Sequence, residues 1–119
     1  MKTAELSGAA LDWAVAKCEG LDEETLDPIT FIETAYPSGG YAYSTNWSQG
    51  GAIIERDWLN ICKHESGEYW QASEEKWMLT DGYPFVGPTP LIAAMRCYVA
   101  SKLGDDVELP EELLSCTHE

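Results

Sequence analysis

Hydrophobic residues recur at helical spacing near the start of the chain. From Leu11 to Cys18 they fall at positions i, i+3, i+4 and i+7, which is the spacing of one helix face. Ser7 is a residue type that begins helices, and Gly20 is one that ends them. The pattern predicts a first helix over residues 7–19.

A second helix is predicted from Trp47 to about Ile61. Asn46 precedes it as an N-cap, and Gln49 follows three residues later, which is close to the spacing of a capping box. Its predicted buried residues are Ile53, Ile54, Trp58 and Ile61.

Two glycines lie in the first turn and a half of this second helix. Gly50 and Gly51 would each destabilise a helix by up to about 1 kcal/mol relative to alanine. Glycine at such a position predicts that another part of the protein packs closely against the helix backbone.

The clearest helical pattern begins after Thr89, which is the predicted N-cap, with Pro90 at the first helical position. Gly104 ends it, and one further turn is predicted from Pro110. The predicted buried stripe consists of Ile92, Met95, Val99 and Leu103.

Short β-branched or aromatic segments lie between these helices. "ITFIET" at 29–34, "EYWQASE" at 68–74 and "KWMLTD" at 76–81 are read as strands. "YPSGG" at 36–40 and "GYPFVGP" at 82–88 are read as loops. The element order α-β-α-β-β-α predicts an α+β fold, a small α-β-α sandwich with a three- or four-stranded sheet. The length of 119 residues fits one domain, 1–119.

The acidic composition narrows the classes of partner. The formal net charge is −14, from 21 acidic and 7 basic residues. Seven acids and no Lys or Arg lie between Lys17 and Arg56, and six more acids follow Lys102. Such a charge disfavours direct binding to nucleic acid or to an anionic membrane. No apolar run is long enough to span a membrane.

Residues suited to catalysis are few. Cys62, His64 and Glu65 are close in sequence, but no second ligand pair with zinc spacing accompanies them. The four cysteines form no C-x-x-C pair, so free thiols in a reducing cytosol are expected. The residues therefore predict a protein without a metal, a cofactor or an enzymatic activity.

Aromatic and small polar residues cluster around the start of the second helix. One interpretation is that Ser44, Thr45 and Asn46 cap the helix while Trp47 lies in the core. The other is a binding surface of aromatic residues on a glycine-containing loop. The candidate binding residues are Tyr36, Tyr41, Tyr43, Ser44, Thr45, Trp47 and Gln49.

Three segments carry a resemblance to a known family. "LDWAVAKCEG", "YSTNWSQGGAIIER" and "GPTPLIAAMRCYVASKLGDDVELPEEL" resemble a NinX-like family of small proteins encoded by tailed phages of enteric bacteria, a domain of unknown function. The order of these segments is similar to that of the phage α-β-α (ABA) sandwich domain. The resemblance implies a phage or prophage origin and that fold, and it brings no catalytic residues.

Three functions stay open from the sequence. The first is a non-enzymatic accessory protein of the host bacterial cytoplasm that binds host machinery, such as a defence system, and inhibits or modulates it, in one version by acidic mimicry of nucleic acid. The second is a protein that binds and sequesters a small molecule such as a nucleotide, with Tyr41, Tyr43 and Trp47 stacking on the base. The third is a weak hydrolase built around His64. A homodimer is compatible with each of them.

Overall fold

The computed structural model describes residues 1–24, 26–33, 41–73 and 85–114. A 3₁₀ turn spans Thr3–Glu5 and precedes helix α1. The helices are α1 (Gly8–Cys18), α2 (Pro28–Glu33), α3 (Trp47–Asp57), α4 (Pro90–Leu103) and α5 (Glu111–Leu114). The strands are β1 (Asn60–Lys63), β2 (Trp70–Ser73) and β3 (Phe85–Gly87).

The three strands form one antiparallel sheet in the order β1-β2-β3. Its register places Ala72 of β2 opposite both Ile61 of β1 and Phe85 of β3. Ala72 is fully buried, and Phe85 is nearly so. The predicted α+β class, the three-stranded sheet and the strand within "EYWQASE" are confirmed.

Helix α4 lies at the centre of the fold. It packs against all three strands and also against α1 and α3. Seven of its residues are buried: Leu91, Ala93, Ala94, Met95, Cys97, Tyr98 and Val99. The sheet backbone comes close at Gly87, where an added Cβ would lie only 2.8 Å from the Ala93 amide nitrogen. Small residues on both sides therefore allow the helix to contact the sheet directly.

The helices predicted from cap residues and periodicity are confirmed in type. The structure has α1 within residues 7–19, α4 directly after the Thr89 cap, and α5 directly after Pro110. The Thr89 side chain accepts a hydrogen bond from the Ile92 amide at 3.1 Å. Of the predicted stripe on α4, Met95 and Val99 are fully buried, whereas Ile92 and Leu103 are partly buried.

The strand predicted at 29–34 is wrong, because residues Pro28–Glu33 form helix α2. Proline is favoured at the first position of a helix, and Phe31 of this helix is 2% exposed in the core. Burial of that ring outweighs the strand preference of the β-branched residues beside it, since tertiary packing overrides local propensity.

The predicted second helix is too long at its C-terminal end. Helix α3 ends at Asp57, and residues 60–63 form β1 instead of a last helical turn. The Leu59 amide donates to the Ile54 carbonyl at 3.1 Å, which is the hydrogen bond of a Schellman motif. Trp58 was expected in the core but is 77% exposed, and Ile61 is only partly buried.

Two other sequence predictions have mixed outcomes. Part of the predicted loop "GYPFVGP" is strand β3, at Phe85–Gly87, whose backbone pairs with β2. The strand predicted at 76–81, the loop at 36–40 and Tyr36 lie outside the described residues. No helix in the described ranges is long and apolar enough to cross a membrane.

Candidate functional site

The segment before α3 is anchored by polar contacts on both sides. The Ser44 amide donates to the Asp12 carboxylate of α1 at 2.8 Å. The Ala42 amide donates to the Gln49 side-chain carbonyl of α3 at 2.7 Å. Asn46 caps α3 by accepting from the Ser48 amide at 2.8 Å. Residues 42–46 therefore hold the start of α3 against α1.

Stacked aromatic rings also hold the segment before α3 in place. Tyr41 stacks between Phe31 and Tyr43, with ring centroids 6.2 Å and 5.7 Å apart. Tyr43 is 7% exposed, and burial, with smaller contributions from nearby carboxylates, raises its pKa to about 12. This tyrosine is therefore a neutral core residue at pH 7.

Asp12 is a buried acid within the same anchoring contacts. Burial raises its pKa above the ordinary value, while hydrogen bonding from Ser44 opposes the rise. The Ser44 backbone amide supplies the one well-formed bond, at 2.8 Å. This contact therefore fixes the segment before α3 to α1.

The exposed part of the predicted site centres on Trp47, which is 57% exposed. An open recess of about 440 Å³ is lined by Thr45, Asn46, Trp47 and Ser48. A second recess of about 190 Å³ joins this region to the start of α4, and its lining residues are Ser44, Thr45, Trp47, Thr89, Pro90 and Leu91. The first turns of both helices thus border one concave surface.

That concave surface carries no acid in the first turn of α3 or of α4. Acidic residues are favoured at those positions by the helix dipole, and the chain has 21 of them. The backbone amides of a first helical turn lack intrahelical acceptors. The surface is therefore the less acidic, aromatic part of a strongly acidic protein.

A cluster of charged and hydroxyl groups joins three helices on another side of α3. Arg56 of α3 donates two hydrogen bonds to the Glu19 carboxylate at the end of α1, at 3.0 Å and 2.8 Å. The Tyr98 hydroxyl of α4 donates to the same carboxylate. Arg56 is the largest cause of the lowered pKa of Glu19. The guanidinium, the carboxylate and the hydroxyl are thus hydrogen-bonded to one another, which indicates that the cluster stabilises the packing of the three helices.

His64 occupies the turn between β1 and β2. Its Nδ1 accepts from the Ser66 amide at 3.1 Å, and its ring stacks on Tyr69 with centroids 4.3 Å apart. The Cys62 thiol donates to the Gln71 side-chain carbonyl, with 3.7 Å between Sγ and Oε1. Within the described ranges, no group of three or more His, Cys, Asp or Glu residues could hold a metal ion. These contacts indicate that His64 shapes the turn.

The structure separates the predicted binding residues into two groups. Tyr41, Thr45 and Trp47 are exposed, while Tyr43 and Ser44 are buried. Gln49 is partly buried and bonds to Ala42. The expectation that Trp47 lies in the core is wrong. As binding residues, all seven candidates stay a prediction.

Sequence reasoning misses one exposed tryptophan and one part of this surface. Trp58 is predicted in the core because it continues the helical spacing of α3, and it is neither glycine nor asparagine, the residues that usually end a helix. Thr89 and Pro90 are identified from the sequence only as helix-start residues. Their position beside Trp47 depends on how α3 packs on α4.

A family model described as "Bacteriophage P22, NinX" matches residues 2–102 of the chain. No curated protein matches the chain.

Proposed function

The chain belongs to the bacteriophage P22 NinX family, and we propose that this phage accessory protein acts by binding a host protein in the bacterial cytoplasm, without catalysis. The matched region runs from the 3₁₀ turn through all of α4 but its last residue. The proposal concerns what the protein contacts. Inhibition or modulation of a host system, such as a defence system, would be the consequence.

The exposure of Trp47 carries the proposal. This side chain is 57% exposed at the rim of two recesses, and tryptophan is among the residues most enriched at binding hot spots. It is also adjacent to an anchored segment, since Asn46 and Gln49 both make fixed hydrogen bonds. A rigid base under an exposed aromatic side chain lowers the entropy lost on binding.

The distribution of acids supports an electrostatic contribution. The two acidic stretches of the sequence meet in the fold, because α2 contacts α5. The exposed acids in and just before these two helices are Asp22, Glu23, Glu24, Asp27, Glu108, Glu111 and Glu112. Exposed carboxylates in this number favour a basic partner, and mimicry of a nucleic acid is one form of that attraction.

Replacing Trp47 with alanine tests this proposal. We expect Trp47→Ala to reduce retention of a host protein from bacterial lysate about tenfold or more, since an exposed hot-spot aromatic dominates its interface. Unfolding temperature should change little, because the ring is mostly exposed. The measurement is affinity capture followed by mass spectrometry, with thermal melts of both proteins.

Val86→Ala is the matched control, because Val86 is 43% exposed on the sheet and lines neither recess. Capture is repeated at about 50 mM and about 300 mM salt, where exposed charges are screened to different degrees. Retention of the same host protein by both variants would exclude the Trp47 surface. If the host protein is retained equally at both salt concentrations, the hypothesis of nucleic-acid mimicry is excluded.

A small-molecule binder is the second candidate, favoured by the recess between the uncharged first turns of α3 and α4. A nucleotide at about 100 times its dissociation constant would raise the free energy of unfolding by about 2.7 kcal/mol. We expect no such shift, because the net charge of −14 opposes an anionic ligand. A thermal-shift series with purine and pyrimidine nucleotides measures it, and a saturable shift would favour this second candidate.

A further inference from the structure

The two recesses beside Trp47 have an uncharged lining. Every described residue that lines them carries a hydroxyl, an amide or an apolar side chain: Ser44, Thr45, Asn46, Trp47, Ser48, Thr89, Pro90 and Leu91. A charged group that enters a recess loses hydration and needs an opposite charge there to offset the loss. The net charge of −14 further opposes an anion. The lining therefore fits an uncharged binding partner.

Several polar groups of this lining have hydrogens left to donate. The Asn46 side-chain oxygen accepts from the Ser48 amide at 2.8 Å, which leaves the NH₂ group of the side chain as a donor. The Thr89 hydroxyl oxygen accepts from the Ile92 amide at 3.1 Å, which leaves its hydrogen as a donor. The indole N–H of Trp47 can only donate. A partner that offers acceptors and few donors would satisfy these groups.

A buried hydroxyl at the second recess also lacks a well-formed hydrogen bond. Ser44 lines that recess and is 2% exposed. Its hydroxyl oxygen is buried and makes no well-formed hydrogen bond among the described residues. Buried polar groups are normally hydrogen-bonded, and one that is not destabilises the protein. Ser44 is therefore a further group that an acceptor from a partner could satisfy.

Apolar surface accompanies these donors. The Trp47 side chain is 57% exposed and lines both recesses. Pro90 and Leu91 add apolar surface to the second recess, which has a volume of about 190 Å³. A compact apolar ring could pack against these three side chains while a carbonyl group attached to it accepts a hydrogen bond.

We propose that the two recesses are the docking site for a proline-rich segment of the host protein. This inference rests on the proposed function and names the chemistry of its partner. Proline supplies an apolar ring and a backbone carbonyl but has no backbone N–H, so a run of prolines presents only acceptors to the donors of the lining. Such a run is extended before it binds, and segments of this kind dock in aromatic-lined grooves. Other backbone would place N–H groups against these donors and leave both unpaired.

A fluorescently labelled oligoproline peptide with both termini blocked tests this assignment by anisotropy. Trp47→Ala should weaken binding about tenfold or more, because the indole supplies both packing surface and a donor. Trp58→Ala is the matched control, since Trp58 is 77% exposed and is not among the described residues that line either recess. It should leave the affinity nearly unchanged. Thermal melts of both variants check the fold.

Asn46→Asp separates hydrogen-bond donation from helix capping. Aspartate is as good an N-cap as asparagine, so the unfolding temperature should change little. The aspartate side chain has no hydrogen to donate at pH 7, so the affinity for oligoproline should fall about threefold or more. Because the blocked peptide is uncharged, wild-type affinity should be nearly equal at about 50 mM and about 300 mM salt.

Four results would overturn the assignment. They are no saturable binding of oligoproline, equal affinity for a blocked glycine–serine peptide of the same length, equal losses in Trp47→Ala and Trp58→Ala, and unchanged affinity in Asn46→Asp. Saturable binding of an uncharged nucleoside in place of the peptide would assign the recesses to a small molecule instead.

Lysate capture distinguishes failure of this inference from failure of the proposed function. A host protein whose capture depends on Trp47 but which excess oligoproline does not displace would contradict the proline-rich segment and leave the proposed function standing. Displacement of that host protein by oligoproline, but not by the glycine–serine peptide, supports the docking site.

Discussion

Gly50→Ala is expected to lower the free energy of unfolding by about 3 kcal/mol or more. An added Cβ would collide with the Tyr43 carbonyl oxygen and lie 2.7 Å from Cδ2 of Leu91. The leucine could change its rotamer, but the carbonyl belongs to the backbone of the anchored segment. Relief therefore requires moving α3 away from that segment, which would also disturb the Ser44–Asp12 contact.

The neighbouring residue provides the matched control. Gly51→Ala places its Cβ at an ordinary contact distance, 3.4 Å from Trp47. It should raise the free energy of unfolding by about 0.5–1 kcal/mol, because alanine favours a helix over glycine. Urea denaturation of both variants measures the difference. Equal effects of the two substitutions would contradict the close approach at position 50.

The second large effect is expected at the Glu19 carboxylate, which joins α1 to Arg56 and Tyr98. Glu19→Gln keeps the side-chain shape but removes the charge that accepts these bonds. We expect a loss of about 2 kcal/mol in the free energy of unfolding at pH 7, the range for hydrogen bonds to charged groups. Tyr98 is 1% exposed, so its hydroxyl has little access to water as a substitute.

The pH dependence of this effect follows from the direction of the pKa shift. The pKa of Glu19 is lowered in the fold from an ordinary value of 4.5. Its contribution is therefore present above pH 4.5 and is lost as the pH falls through the folded-state pKa. The stability difference between wild type and Glu19→Gln should shrink below that pH. Thermal or urea unfolding at several pH values measures it.

Glu23→Gln serves as the control for the change in net charge, because Glu23 is exposed in the loop before α2. Glu23→Gln should change the free energy of unfolding by less than about 0.5 kcal/mol, both at pH 7 and below pH 4.5. A loss in Glu19→Gln that matched this small value would show that the cluster contributes nothing beyond surface charge.

The sequence predicted the helices whose ends carry local signals. Asn46 and Thr89 cap α3 and α4 as expected, with direct side-chain bonds to the Ser48 and Ile92 amides. The expectation of close packing at the glycine pair is confirmed for Gly50. The caps are local features, so short-range rules recover them, and the glycine pair is a local signal of a contact whose partners, Tyr43 and Leu91, the sequence does not identify.

The predictions that are wrong concern segments whose secondary structure or burial depends on residues far away in the sequence. Phe31 is placed in a helix by its burial in the core, which a window around "ITFIET" does not show. Trp58 interrupts a regular helical spacing without a glycine, so the end of α3 could not be read from residue type. The recess beside Trp47 likewise requires α4, some forty positions later in the chain.

The central position of α4 has a consequence for synthesis of the protein. The sheet, α1 and α3 all pack against a helix that spans residues 90–103 of a 119-residue chain. Ribosomes add about 5–20 residues per second, so the first helix waits several seconds for its main packing partner. The nascent chain exposes apolar surface throughout that interval. Folding should therefore be a single late event, and chaperones have their opportunity to engage the chain before α4 emerges.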